Sequence, residues 1–174
     1  MPKMEDLSKN KETACVFARY LEREHSRKYD VVLPEAKDHP FFDAMLVSAE
    51  NGNLPLQMKQ VVQGDTEFMR SRKGQPGMGR PGKDWKMFAN VPIGSVVEKA
   101  EKKYKDRARD LILILHDDEG YLIPSDADLI DKNDFKQSNF RGIYMVSPKH
   151  ELWKAGIGKR IQDEFASEIK NAFN

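Results

Sequence analysis

The sequence predicts an α/β fold, a mixed central sheet flanked by helices and formed as one domain. Three observations carry this. A stretch with helical periodicity comes first. β-branched and apolar runs separated by turn signals follow it. Then comes a wholly apolar run, Leu111 to Leu115, of the kind that fills the middle of a sheet covered on both faces. The 174 residues suit a single domain, 1–174, long enough to bury a core.

The elements follow in order. Residues 1–9 are polar and read as a loose lead-in. From about Asn10 to Arg27, Ala14, Phe17, Ala18 and Leu21 recur at three- and four-residue steps, with Arg19, Glu22, Arg23 and Glu24 on other faces. This is an amphipathic helix that Ser8 or Asn10 can cap. Asp30 to Leu33, ended by Pro34, is a first strand, and Phe41 to Val47, apolar except for Asp43, is a second. Asn51-Gly52-Asn53 is a turn signal joining it, as a hairpin, to Leu54 to Val62. The strand period puts Leu54, Leu56 and Met58 on one face and Gln57, Lys59 and Val61 on the other. Pro55 has no backbone donor and suits the start or the edge of its strand.

Residues 70–84 cannot propagate helix or strand, because Gly74, Pro76, Gly77, Gly79, Pro81 and Gly82 interrupt them. They form a basic loop carrying Arg70, Arg72, Lys73, Arg80 and Lys83. Ser95 opens a second helix to about Arg107 with a stripe of Val96, Val97, Ala100 and Tyr104. After Leu111 to Leu115, His116 to Gly120 turns into a short strand, Tyr121 to Ile123. Residues 125–139 read as a polar loop with a helical turn, and Gly142 to Val146 as a further strand stopped by Pro148. A last amphipathic helix, about Gly158 to Phe173, aligns Ile161, Phe165 and Ile169.

Composition narrows the classes. Hydrophobic residues at 39% exclude a disordered chain, and 33% charged residues give a well-solvated surface. The net charge of +1 provides no global field for a polyanion, so any such attraction comes from local clustering. Cys15 is the one cysteine, which excludes an internal disulfide framework; mid-helix beside Val16 and Phe17 it reads as an inert thiol. No apolar run approaches the roughly 20 residues that span a bilayer, and Met1 to Asn10 lacks the apolar core of a signal peptide. A cytoplasmic location without membrane contact is the expectation.

Chemistry concentrates at the hairpin. Asp43 interrupts an apolar strand, where a carboxylate needs a cation, a metal or an edge. Fourteen residues later Gln57, and then Lys59, share one face of the neighbouring strand. A hard cation such as Mg²⁺ takes a carboxylate, an amide oxygen, a backbone carbonyl and waters as ligands. An adjacent amine can serve an attacking water and offset charge on a phosphate.

In these residues the chain resembles the restriction-endonuclease-like superfamily, known by its PD-(D/E)xK motif. There a first helix, often carrying a glutamate, precedes a hairpin that holds a metal-binding Asp on one strand and the (D/E)xK on the next. Asp43 in Phe41-Phe42-Asp43-Ala44-Met45 matches the Asp, Gln57-Met58-Lys59 the second motif, and Glu12, ahead of Glu22 as a substitute, the helix glutamate. The match covers roughly residues 10–146 as an order of elements. Gln57 stands where an acid is usual, as in the QxK variants of some branches, and Phe42 where Pro is usual. The resemblance implies a restriction-endonuclease-like fold and a nuclease-like phosphodiesterase dependent on Mg²⁺ or Mn²⁺, acting on DNA or RNA. Asp43 and Gln57 would hold the metal, Lys59 would serve the water and Glu12 would support the site. Nucleic acid is then the expected partner, with the basic loop at about 70–86 meeting phosphates and Trp85 stacking. A homodimer is left open.

Two other readings stay open: a non-catalytic module of the same fold binding nucleic acid or protein through 70–86, and a different α/β enzyme. Gly77-Met78-Gly79-Arg80-Pro81-Gly82 spells GxGxxG, but it neither follows a strand nor opens a helix, and Asp84 stands where a P-loop needs Ser or Thr. Asp117-Asp118-Glu119-Gly120 is more simply a turn than a cation site. His25, His39, His116 and His150 lack zinc spacing.

Overall fold

A computed structural model describes residues 4–35, 41–60, 94, 96–116, 138–157 and 163–166. Helix α1 spans Met4–His25. It begins before the expected Asn10, so neither Ser8 nor Asn10 caps it, and half-buried Leu7 lies two turns before Ala14. The stripe itself is broader than its expected members, with Thr13, Ala14, Val16, Phe17, Tyr20 and Leu21 all buried. The helix stops at Ser26, whose φ of 54° is left-handed. The N–H groups of Ser26 and Arg27 fold back onto the carbonyls of Glu22 and Leu21, at 3.1 and 3.2 Å, and so satisfy the last turn.

Among the described residues six strands follow in one sheet whose spatial order is their chain order. β1 (Asp30–Val32), β2 (Ala44–Val47) and β3 (Leu54–Gln60) form an antiparallel meander. Gly52, at φ 79°, makes the β2–β3 turn with a backbone that side chains disfavour, and its N–H reaches the Ser48 carbonyl at 3.0 Å. Residues 96–104 form helix α2, which continues as a 3₁₀ segment, Lys105–Asp110, rather than ending at Arg107. β4 (Ile112–His116) lies parallel to β3, and β5 (Gly142–Ser147) parallel to β4. Parallel neighbours need a crossover, and α2 lies within the one between β3 and β4.

A sixth strand, β6 (Leu152–Ala155), was not among the expected elements. It turns back from β5 through Pro148–His150, with Glu151 at φ 48°, and pairs antiparallel from Ser147–Leu152 to Tyr144–Ala155. The expected short strand at Tyr121 to Ile123 lies outside the described residues, as do the basic loop at 70–86 and all but 163–166 of the expected last helix. That helix is not continuous from Gly158, because 163–165 form a turn in which the Asp163 carboxylate accepts the Phe165 N–H, and among these described residues only Ala166 is helical. Among the described residues no helix is long and apolar enough to cross a membrane.

Strand alternation divides the core between the two faces of the sheet. Leu54, Leu56, Met58, Ile112, Ile114, Tyr144 and Val146 pack with Ala14, Phe17, Tyr20 and Leu21 of α1. The opposite face carries Leu113, Leu115, Ile143 and Met145, and α2 contributes buried Val97 and Ala100. Every residue of β4 and β5 is buried, as the apolar run predicts for the sheet's interior. Each such Leu, Ile or Phe contributes about 1.5–3 kcal/mol, whereas the exposed Arg19–Glu151 ion pair at 2.9 Å is worth about 0–1 kcal/mol. Packing, not surface charge, holds the layers together.

One polar knot ties the far segment to α1. Asp163 accepts the hydroxyl of Tyr20 at 2.5 Å, the hydroxyl of Tyr144 at 3.2 Å and the N–H of Phe165 at 3.0 Å. His25 Nε2 lies 3.0 Å from the Tyr20 oxygen. Burial first, and then Asp163, push both phenols far above the usual tyrosine range, so both remain donors. Replacing Asp163 by Ala strands these buried donors, each worth about 1–3 kcal/mol when unpaired. Chemical denaturation should therefore show Asp163→Ala losing about 3 kcal/mol, against less than about 0.5 kcal/mol for Arg19→Ala.

Candidate active site

The β2–β3 ladder pairs Leu46 with Leu54, Met45 with Pro55 and Ala44 with Leu56. One residue earlier Asp43 still donates its N–H to the Leu56 carbonyl, at 2.8 Å. There backbone pairing stops, so the strand begins at Ala44 and not at Phe41 as the apolar run suggests. Leu56 and Met58 present their backbone groups to the same side of β3, because that direction alternates along a strand. The Met58 N–H thus points to where β2 no longer offers a carbonyl. Asp43 Oδ2 takes that place, accepting the Met58 N–H at 2.8 Å and Gln57 Nε2 at 2.5 Å.

On its other side β3 pairs in parallel with β4, from Leu56–Ile112 to Gln60–His116. The ladder to β4 begins only at Leu56, which explains how Pro55 is tolerated in an interior strand: its missing donor falls ahead of the pairing. The carboxyl ends of β3 and β4 lie together, and the start of antiparallel β2 lies beside them. In open α/β sheets this is the end where ligands bind.

Because Leu56 and Met58 join the α1 core, Gln57 and Lys59 occupy the opposite face. Gln57 is only 3% exposed. Lys59 is half-buried, and its Nζ lies 5.9 Å from the ring centroid of Tyr104 on α2. Lys103 Nζ approaches the same ring at 5.3 Å. Two ammonium groups thus share one aromatic ring near one carboxylate.

The titration of Asp43 and Lys59 follows first from burial. Burial raises the Asp43 carboxyl above its ordinary range, opposed by the Met58 N–H and then by the charges of Lys59, Lys103 and His116. Burial lowers the Lys59 ammonium, Lys103 lowers it further, and Asp43 acts against both. An acid raised and an amine lowered at one sheet end is the pattern that functional sites show.

Of the residues the sequence singles out, Asp43, Gln57 and Lys59 are brought together. Glu12 is exposed on α1, and among the described residues no hydrogen bond or ion pair joins it to the other three. Arg70, Arg72, Lys73, Arg80 and Lys83 lie outside the described residues. Lys103 and His116 act on Asp43 without having been singled out as site residues. Lys103 has no sequence signal beyond its place beside Tyr104, while His116 ends the apolar strand at the sheet's carboxyl end. Among the described residues, no three His, Cys, Asp or Glu side chains gather to hold a metal.

The raised pKa makes a stability statement with a definite sign. The folded state holds the Asp43 proton more tightly than the unfolded chain does, so the ionised carboxylate destabilises the fold as pH rises through its folded pKa. At neutral pH Asp43→Asn should gain about 0.5–1 kcal/mol, since it removes the buried charge while keeping an acceptor for Met58. The gain should shrink as mild acid protonates the wild-type carboxyl, which thermal melts across pH would show.

Compared with known proteins, the chain matches no protein-family model, no curated protein and no solved structure.

Proposed function

We propose that this chain is a metal-dependent phosphodiesterase of nuclease type, acting on DNA or RNA in a restriction-endonuclease-like fold. The observation that carries the reading is the meeting of the Asp43 carboxylate, the Gln57 amide and the Lys59 amine at the carboxyl end of β3 and β4. The order of elements supports it: a helix, a hairpin bearing the Asp and then the QxK, and a crossover to a parallel strand.

The oxygens present suit a hard cation. Both hydrogen bonds of Asp43 fall on Oδ2, and Gln57 commits its Nε2 rather than its Oε1. The Met58 carbonyl leaves β3 on the same side as its N–H, toward Asp43. Asp43 Oδ1, Gln57 Oε1 and the Met58 carbonyl would therefore hold Mg²⁺ or Mn²⁺ along with waters and substrate phosphate. Bound there, the cation would acidify water and offset phosphate charge. Lys59, on the same face as Gln57 and beside Asp43, would orient the attacking water, and its burial favours loss of its proton. Its ammonium form then stands beside the charge developing on phosphorus-bound oxygens.

The Gln57–Asp43 bond favours a second reading, in which amide and carboxylate satisfy each other and the domain is a non-catalytic nucleic-acid- or protein-binding module. The two readings separate cleanly. The first expects cleavage of plasmid DNA or RNA only with Mg²⁺ or Mn²⁺, reduced by about 100-fold or more in Asp43→Asn and in Lys59→Met. It also expects either ion to raise the melting temperature of the wild type but not of Asp43→Asn. Binding without cleavage, indifferent to metal, would leave the module.

A further inference from the structure

Phe41 stands two residues before Asp43 and is 46% exposed; with Val32 it is one of two large apolar side chains so exposed among the described residues. The Arg107 guanidinium lies 5.2 Å from its ring centroid, and Phe42 meets it edge-on at 6.0 Å. Arg107 is itself exposed, on the 3₁₀ segment that continues α2. Lys103, also exposed, lies on the last turn of α2 beside Tyr104. An open aromatic ring and two cations therefore rim the same sheet end as the half-buried Asp43 carboxylate.

With 29 basic and 28 acidic residues, the surface as a whole does not attract a polyanion, so this local grouping decides where one would dock. The ring adds a second requirement. A planar partner can cover Phe41 only if one of its faces is free, and in a duplex the faces of the bases are already stacked on one another. Unpaired nucleotides offer both a free face and a phosphate on either side.

We infer that Phe41, Arg107 and Lys103 form a docking surface for single-stranded nucleic acid, Phe41 stacking on an unpaired base while Arg107 and Lys103 meet the neighbouring phosphates. This rests on the nucleic-acid reading of the site and narrows its substrate to unpaired strands. Stacking on a ring tolerates any base, so the surface selects strand state rather than sequence.

Fluorescence anisotropy of the full chain tests this, with a labelled oligothymidylate and a duplex of the same length, both in EDTA so that nothing is cut. The single strand should bind at least about tenfold more tightly than the duplex. Phe41→Ala should lose about tenfold on the single strand, with circular dichroism unchanged, and Phe41→Trp should retain affinity. Arg107→Gln and Lys103→Gln should each lower the salt dependence by about 0.7 in slope. Equal affinity for the duplex, or full affinity in Phe41→Ala, overturns the inference. Stacking through Phe41 by a protein that never cuts would count against the phosphodiesterase reading alone. Cleavage of duplex at full rate by Phe41→Ala would count against this inference alone.

Discussion

A buried N–H must find an acceptor, and at Met58 the strand that should provide one has already ended. Asp43 answers with a side chain in place of backbone. That substitution fixes the direction of the carboxylate, draws the Gln57 amide to it, and leaves β2 open at the end where β3 and β4 also finish. The charge arrives there as a consequence of closing a ladder. Without it, Gln57 would be a buried amide without its carboxylate partner, and Lys59 would lose the anion that opposes its loss of a proton.

Asp163 and Asp43, both half-buried, keep contrasting company. Asp163 accepts hydrogen bonds from two phenols and a backbone N–H, with His25 Nε2 3.5 Å from its Oδ2, and serves to join segments far apart in the chain. Asp43 has one backbone donor and an amide, and beyond them the cationic side chains of Lys59 and Lys103. At Asp163 both carboxylate oxygens accept structural hydrogen bonds. At Asp43 both bonds fall on Oδ2, which leaves Oδ1 for another partner.

Much of this was legible in the residues because it follows from periodicity. The two-residue alternation from Leu54 to Lys59 gave the faces of β3, Asn51-Gly52-Asn53 gave the hairpin, and the unbroken Leu111 to Leu115 gave a strand covered on both sides. What escaped depends on tertiary context. Leu152–Ala155 is too short, and too mixed, to announce a strand without β5 to pair with. Asp43 read as an intrusion into a strand, when it is the residue just before one begins. Lys103 gains its place only when α2 crosses over the Gln57 face, a placement no spacing within the chain encodes.

Pro55 sits where β3 has no partner on the β4 side, so sliding β3 along its neighbours would bring a residue without a donor into a paired position. The same slide by a single step would exchange inside for outside, sending Gln57 and Lys59 toward α1 and Leu56 toward Asp43. The imino acid thus acts as an alignment pin. Lengthening or shortening the bend at Gly52 by an odd number of residues would dismantle the acid–amide–amine trio even if every one of its members were left unchanged.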